Sequence, residues 1–306
     1  MIDPISQLWL ATDFSPAAMQ AGQRAVQLAD EHAALLGLMH ARERGGWIEA
    51  LSSAALPPEF AERIEQERIA ALQAEAQRLG CAGAEQRVLD EPLHRALPLL
   101  QHERPAQLLV MGARGSGGWQ HLLLGSTADR VLRGQQLPVL LVRSPAAGPY
   151  RRIGIATDFS PASGSAARFA LQLCPSATAL LVHANELPFE STLGFAGVGR
   201  DTVEHYRSLG AREALRSLEA FAAALGPAGA RALLALREGR PTDVFAALVE
   251  AADLDLLVLG AAGRSAIERG LLGSVSSHAA ASLPCDVLVV PEAQRRGVGN
   301  REPKRL

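Results

Sequence analysis

The chain has 306 residues, with 30 basic residues against 32 acidic ones and a hydrophobic fraction of 48%. This nearly balanced charge provides no general field that would attract nucleic acid or an anionic membrane surface, and the length suits two domains. No apolar run approaches the ~18 residues that a membrane span requires, so we expect a protein of the cytoplasm.

Lysine and cysteine usage excludes several classes of chemistry. The only lysine is Lys304, whereas a P-loop requires a lysine directly after its glycines and Schiff-base chemistry requires one in the core. The three cysteines, Cys81, Cys174 and Cys285, are far apart and form no CxxC pair. Neither a disulfide framework nor a thiolate metal site is therefore indicated.

The first half alternates between short apolar runs and longer helical patterns. Strands are expected there, in chain order, at residues 7–12, 36–41, 85–89, 108–111 and 139–143. Helices are expected between them at residues 16–36, 58–79, 93–103 and from residue 126 onwards. Five strands alternating with four helices predict a parallel sheet that is covered on both faces.

The second half repeats the first. The run LATDFSP at residues 10–16 recurs as IATDFSP at residues 155–161, and His40 recurs as His183. Its long helix is expected near residues 202–225, and its strands are expected near Ile153, Leu180, Leu233, Leu257 and Val287. This self-similarity predicts two whole domains rather than a solenoid.

The domain boundaries follow from the repeat. We place the first domain at residues 1–143 and the second at residues 151–291. The short segment 144–150 is interpreted as the linker between them, and residues 292–306 as a basic, disordered tail.

A spaced glycine signature, Gly-x2-Gly-x9-Gly-Ser, occurs once in each half after an apolar run typical of a buried strand. The two copies comprise Gly112, Gly115, Gly125 and Ser126, and Gly260, Gly263, Gly273 and Ser274. A chain of this length would contain about 0.1 such signatures by chance. Glycines let the backbone come close to a phosphate, and amides at the start of a helix capped by serine point at it. The pattern predicts two anion sites, with tight turns and helix caps alone as the alternative.

Polar residues end the first two strands of each half. Asp13 and Asp158 end the first strand, and His40 and His183 lie at the end of the second. Ligands of open parallel sheets bind at the carboxyl ends of the strands, where these residues meet the glycine loops. We interpret both histidines as packed or backbone-bonded residues rather than as catalytic bases.

Together these motifs resemble the universal stress protein family, in its nucleotide-binding branch, over nearly the whole chain except the linker and the tail. The resemblance implies two doubly wound, five-stranded, Rossmann-like α/β domains with ATP, or ADP or AMP, at each glycine loop. It also implies that the last strands of the two halves, near residues 139–142 and 287–290, pair within the chain as a pseudo-dimer. A further homodimer is left open, and so is the protein partner.

The same resemblance carries individual roles onto this sequence. Asp13 and Asp158 would lie beside the nucleoside or a Mg²⁺ ion bound through phosphate. The backbone positions that would hold phosphate are Gly112, Gly115, Gly125, Ser126 and Thr127 in the first half, and Gly260, Gly263, Gly273, Ser274 and Val275 in the second.

The two copies are not identical. Arg114 lies inside the first glycine loop, whereas Arg264 comes just after the corresponding glycine of the second. The hydroxyl of Thr127 is lost in Val275, so the first site is predicted to hold the triphosphate more tightly.

These features predict a nucleotide-binding stress-response regulator that acts through its conformation or through contact with a partner protein. Two alternatives remain open: a slow ATPase or autokinase, and a scaffold whose binding loops are vestigial. The groups that could stabilise a transferring phosphoryl group, Arg114, Arg264 and His121, do not recur at equivalent positions, and no catalytic residue is assigned.

Overall fold

The computed structural model describes residues 4–41, 58–103, 107–114, 124–134, 136–186, 200–263 and 272–292. The first half comprises, in chain order, β1 (Gln7–Ala11), α1 (Pro16–His32), β2 (Leu35–Ala41), α2 (Pro58–Arg78), β3 (Glu85–Leu89), α3 (Leu93–Glu103), β4 (Leu108–Gly112), α4 (Ser126–Gly134) and β5 (Val139–Val142). The second half comprises β6 (Arg152–Ala156), α5 (Pro161–Leu173), β7 (Thr178–Asn185), α6 (Arg200–Ala224), α7 (Pro227–Ala230), β8 (Leu233–Glu238), α8 (Pro241–Ala251), β9 (Leu256–Gly260), α9 (Ser274–Ser282) and β10 (Asp286–Val290).

Helix α1 shows how local signals set the element bounds. It begins where the Ser-Pro pair predicts, because the Ser15 side chain accepts a hydrogen bond from the Ala18 N–H and Pro16 takes the first helical position. It ends at His32 rather than at residue 36, because Ala33 adopts a left-handed conformation with a φ of 50°. The expectation of a longer helix was therefore wrong at its end. The short helix α7 was not expected.

All ten strands form one continuous sheet, in the order β3-β2-β1-β4-β5-β10-β9-β6-β7-β8. Neighbouring strands within each half are parallel, whereas β5 and β10 are antiparallel, with Leu140 opposite Leu288. The predicted pairing of the last strands within the chain is confirmed.

The sheet is covered on both faces, as a doubly wound fold requires. Successive strand residues point to opposite sides: Leu8 and Leu10 of β1 pack into one core, and Trp9 and Ala11 pack into the other. Helices α1, α2, α5 and α6 cover the first face, and helices α3, α4, α8 and α9 cover the second. Among the described helices, none is both long enough and apolar enough to cross a bilayer.

A buried carboxylate joins the two halves at the start of β10. Asp286 is fully buried, and its Oδ1 accepts hydrogen bonds from the backbone N–H groups of Arg143 at 2.8 Å and Ser144 at 3.1 Å. Its Oδ2 accepts a hydrogen bond from the Tyr150 hydroxyl at 2.7 Å. Burial and the charge of Asp286 hold the pKa of Tyr150 well above its usual range. This carboxylate therefore binds both ends of segment 144–150.

Helix α1 supplies the counter-charge for this carboxylate. The Nε atom of Arg24 lies 3.7 Å from Asp286 Oδ2, and both side chains are almost completely buried. Arg24 also donates to the Gly148 carbonyl at 2.8 Å, and its guanidinium carbon lies 4.1 Å from the centroid of the Tyr150 ring. We call Arg24, Tyr150 and Asp286 the interdomain cluster.

Candidate functional site

The chain makes a tight turn at the carboxyl end of β1, and this turn presents Asp13. The Oδ1 atom of Asp13 accepts a hydrogen bond from the Ser15 N–H at 3.1 Å, and Thr12 Oγ1 accepts one from the Phe14 N–H at 3.0 Å. Phe14 has a φ of 63°, which is uncommon for a residue other than glycine. The turn is therefore held by side chains on both sides of a strained residue.

The second half repeats this turn in every bond. Asp158 Oδ1 accepts a hydrogen bond from the Ser160 N–H at 3.0 Å, and Thr157 Oγ1 accepts one from the Phe159 N–H at 3.0 Å. Phe159 also has a φ of 63°. Strained backbone at matching positions is characteristic of functional sites, because elsewhere it would bring only cost.

The two predicted histidines stand next to these turns. The Nδ1 atom of His40 lies 2.9 Å from the Thr12 carbonyl oxygen, and that of His183 lies 2.8 Å from the Thr157 carbonyl oxygen. A carbonyl oxygen can only accept, so Nδ1 carries the proton and Nε2 is the acceptor of the neutral ring. The interpretation of both histidines as backbone-bonded is confirmed. A role toward a ligand remains a prediction.

The first glycine of each signature lies against the first turn of a helix. A Cβ atom on Gly260 would lie 3.0 Å from both the Ala162 carbonyl carbon and the Ser163 nitrogen, and one on Gly112 would lie 3.1 Å from the Ala17 carbonyl carbon. Each glycine lets the end of its strand approach the first turn of a helix. The expected place of these two glycines beside a ligand remains a prediction.

The glycine loops close on themselves before the next helix starts. The Gly125 N–H donates to the Ala113 carbonyl at 3.0 Å, and the Gly273 N–H donates to the Ala261 carbonyl at 2.8 Å. A Cβ atom on Gly273 would lie 3.6 Å from the nitrogen of Gly263. Each of these bonds joins the third glycine of the signature to the residue directly after the first glycine. Residues 115–123 and 264–271, and with them Gly115, His121 and Arg264, lie outside the described residues.

In the second half the aspartate turn faces the glycine loop directly. A Cβ atom on Gly263 would lie 3.0 Å from Asp158 Oδ2, the carboxylate oxygen that does not hold the turn. A side chain at position 263 would crowd this carboxylate oxygen, and glycine avoids that contact. The structure therefore brings together Asp158, Gly263 and Gly273, which the sequence had placed in one site.

The two helices that follow the loops are capped by glycine, so the expectation that Ser126 and Ser274 are the caps was wrong. Gly273 is the cap of α9, with no side-chain hydrogen bond, and the Ser277 N–H donates to its carbonyl at 2.9 Å. Gly125 accepts the equivalent bond in α4. Both serines take the first helical position. Because a glycine cap has no side-chain acceptor, it leaves first-turn amides able to bind an anion.

Thr127 in α4 and Val275 in α9 take the second helical position. One position further on, the Ser276 hydroxyl donates to the Gly260 carbonyl at 2.7 Å. The first half has Ala128 there, so this tether between strand and helix is confined to the second half.

Sequence reasoning missed a second arginine at the first loop. Arg143 directly follows β5 and donates through Nη2 to the Ala280 carbonyl of helix α9. Burial lowers the pKa of Arg143, and the nearby positive charge of Arg114 lowers it further. Two guanidinium groups thus lie close to the first loop, whereas Pro291 follows β10 in the second half. An arginine immediately after the last strand was the signal that could have found it.

No resident metal site is apparent in the described part of the chain, where no three or more His, Cys, Asp or Glu side chains are grouped to hold an ion. Mg²⁺ usually takes one or two carboxylates together with substrate phosphates and water. The expected Mg²⁺ contacts of Asp13 and Asp158 therefore remain a prediction for an ion that arrives with a nucleotide.

The fold and the loops define a class: two doubly wound α/β domains in tandem, each with a glycine loop at the carboxyl end of its sheet. The sequence model of the universal stress protein family matches residues 6–143 and 149–291. This chain belongs to the universal stress protein family, with one such domain in each half. The family resemblance predicted from the motifs is confirmed.

Curated relatives match one domain at a time. The chain is 31% identical over 147 residues to universal stress protein Rv2005c of Mycobacterium tuberculosis, a match covering 46% of this chain and 42% of that protein. It therefore spans less than half the length of this relative. Universal stress protein MJ0531 of Methanocaldococcus jannaschii is 26% identical over 138 residues, covering 44% of this chain and 81% of that protein.

A solved structure matches the whole tandem fold. A universal stress protein from Archaeoglobus fulgidus superimposes with a TM-score of 0.65 over 95% of this chain and 100% of its own, at 18% identity. At that identity the likeness shows the fold alone.

Proposed function

We propose that this protein is a regulatory protein that binds an adenine nucleotide at each of two sites, one per half. The observation that carries the proposal is the meeting of the Asp158 carboxylate with Gly263 and the glycine-capped start of α9. The first half has the same aspartate turn, glycine cap and loop closure. The universal stress protein matches at residues 6–143 and 149–291 support this reading and domain bounds near residues 1–143 and 151–291.

The chemistry of the second site suits a nucleotide. First-turn amides at a helix start accept phosphate oxygens, because unpaired N–H groups and the helix dipole favour negative charge. The carboxylate of Asp158 would accept hydrogen bonds from ribose hydroxyls, and Nε2 of His183 would accept one more. A Mg²⁺ ion on the phosphates would add one carboxylate contact.

The equivalent groups of the first site are Asp13 and His40, with phosphate at Gly125, Ser126 and Thr127. Arg114 and Arg143 add positive charge there, so we expect the first site to hold a triphosphate more tightly than the second. No lysine contributes, since the only lysine of the chain is Lys304.

The backbone hydrogen bonds of the site aspartates and histidines favour regulation over catalytic turnover. Each aspartate holds its turn through Oδ1, and each histidine donates its Nδ1 proton to a backbone carbonyl. A dedicated ATPase needs a base and a charge-stabilising group placed alike in each site. We therefore propose that output comes through conformation or through a partner protein.

The test removes one backbone donor without disturbing the fold. Ser274→Pro deletes the N–H at the first helical position, where proline is well tolerated, and Gly273 already has the extended ψ of 148° that a residue before proline needs. Ser274→Ala is the matched control, because it keeps the N–H. We expect Ser274→Pro to weaken ATP binding at the second site about tenfold and Ser274→Ala much less.

Isothermal titration with ATP, ADP and AMP, together with mass spectrometry of ligands released from the purified protein, reads the result. Absence of any bound or binding adenine nucleotide would contradict the proposal and favour a scaffold. Steady phosphate release from excess ATP that is lost in Asp13→Asn would instead make the protein an enzyme.

A further inference from the structure

A buried carboxyl group lies beneath the aspartate turn of the first half. Glu75 of α2 is completely buried, and its Oε1 accepts a hydrogen bond from Thr12 Oγ1 at 2.7 Å. Its Oε2 is also buried and has no hydrogen-bond partner among the described residues; the exposed guanidinium of Arg78 is 4.0 Å away. Burying a carboxyl with one oxygen unbonded is costly, so the group calls for an explanation.

The second half has no such carboxyl. Phe221 of α6 takes the place of Glu75 and packs edge-on against Phe159, with ring centroids 6.1 Å apart. The Thr157 hydroxyl bonds instead to Ser163 Oγ at 3.0 Å. The match of the two helices follows from core residues at the same spacing: Leu72 and Ala76 in α2 with Leu79 just after it, and Leu218 and Ala222 in α6 with the partly buried Leu225 just after it.

Thr12 connects Glu75 to the first site. The Thr12 hydroxyl has one proton, and because this proton goes to Glu75, its lone pairs face the Phe14 N–H. The Thr12 carbonyl accepts the proton of His40 Nδ1, and Asp13 is the next residue. The carboxyl of Glu75 therefore fixes the orientation of the Thr12 hydroxyl, which holds the start of the aspartate turn.

The charge of Glu75 depends on the groups that face it. Burial raises the pKa of Glu75; the Thr12 hydrogen bond and the Arg78 charge act against this, and the Asp13 charge adds to it. Cys81, after α2, also feels Glu75, and burial together with that charge raises the pKa of its thiol. An ionised Glu75 would place a second negative charge beneath a site for an anionic ligand.

We propose that Glu75 is a positioning residue of the first site that sets the Thr12–Asp13 turn and makes nucleotide binding there, but not at the second site, weaken as the group ionises. The inference rests on the proposed nucleotide sites. A raised pKa keeps Glu75 neutral over a wider pH range, so binding at the first site strengthens as pH falls through that pKa and weakens as pH rises through it.

The two sites are measured separately in variants that each weaken one of them. The first background, Ser274→Pro, weakens the second site so that the first is measured, and the second background, Ser126→Pro, weakens the first site so that the second is measured. In the first background we expect the ATP dissociation constant to rise about fivefold more with Glu75 than with Glu75→Gln as the pH rises through the pKa of Glu75. In the second background, Glu75→Gln should leave the pH profile of ATP binding unchanged. Because ATP itself titrates equally in every variant, its contribution cancels when the profiles are compared. Equal pH profiles with and without Glu75→Gln would overturn the inference while leaving nucleotide binding intact.

A second measurement needs no ligand. In the free protein, the amide resonance of Phe14 should move further with pH in the wild type than in Glu75→Gln, whereas that of Phe159 should not differ between the two. A Phe14 signal that titrates identically in both proteins would overturn the positioning role even if neither half bound nucleotide. Glu75→Phe, which copies the second half, serves in the same comparison if Glu75→Gln fails to fold.

Discussion

Removing the carboxylate of the interdomain cluster should be among the most destabilising single changes in this protein. Asp286→Ala leaves the Tyr150 hydroxyl and the backbone N–H groups of Arg143 and Ser144 without their acceptor. It also leaves Arg24, whose side chain is 5% exposed, as a buried cation without its counter-charge. All of these groups lie where the two halves meet.

The magnitude follows from the burial. Hydrogen bonds to a charged group contribute about 1.5–3 kcal/mol each, but water that enters the cavity restores part of this. Breaking a buried ion pair by removing one partner costs about 3–5 kcal/mol. We therefore expect Asp286→Ala to lower the free energy of unfolding by about 4 kcal/mol.

Urea unfolding followed by circular dichroism measures this loss, and Asp255→Ala is the matched control. Asp255 also accepts two backbone N–H groups, from Arg151 at 2.7 Å and Arg152 at 2.9 Å, but these bonds are exposed. We expect it to cost about 1 kcal/mol. Asp286→Ala combined with Arg24→Met should cost less than the two single changes added, since the second change removes the stranded cation. Equal losses for the two aspartates would refute the reasoning.

Three further predictions concern buried thiols and a glycine contact. Burial raises the pKa of Cys174 and of Cys285 to about 12, so a thiol reagent at pH 8 should modify half-buried Cys81 first and leave these two unmodified in the native protein. Because their folded-state pKa is raised, their contribution to stability is complete below pH 9 and is lost toward pH 12, which alkaline unfolding of Cys→Ser variants would reveal. Gly260→Ala should cost about 1–3 kcal/mol in thermal unfolding because its Cβ meets backbone at 3.0 Å, whereas Gly83→Ala, with open space around it, should be nearly neutral.

The sequence predicted most of the fold because its signals were local. A Ser-Pro start, an apolar run or a glycine after a helix acts within a few residues, and the repeat supplied each signal twice. The antiparallel contact of β5 and β10 is long-range, and it was predicted only because the family resemblance implied it. Loop closure is also long-range: Gly125 bonds to Ala113, so the helix cap falls on the glycine and not on the expected Ser126.

Buried charges could not be predicted from the same signals. Glu75 belongs to a helix rich in charged and small residues, and nothing in that pattern indicates that this one carboxyl points inward to Thr12, 63 residues away. Asp286 is at the edge of an apolar run, and its partners come from segments more than 130 residues earlier in the chain. Such groups are found only when the tertiary contacts are known, because their burial depends on a partner and not on a period.

Some features occur in both halves of the chain and others in only one. This difference bears on the choice between a regulator and a scaffold with vestigial loops. The interdomain cluster, Glu75 and the pair Arg114 and Arg143 each occur once, so the two halves have been free to diverge in charge. The aspartate turn occurs twice, with a φ of 63° at both Phe14 and Phe159. A phenylalanine in the left-handed conformation costs about 1 kcal/mol or more. A half that no longer used its turn could relax this conformation and avoid the cost. Because both halves carry this cost, the repeated turn favours the proposed pair of nucleotide sites over vestigial loops.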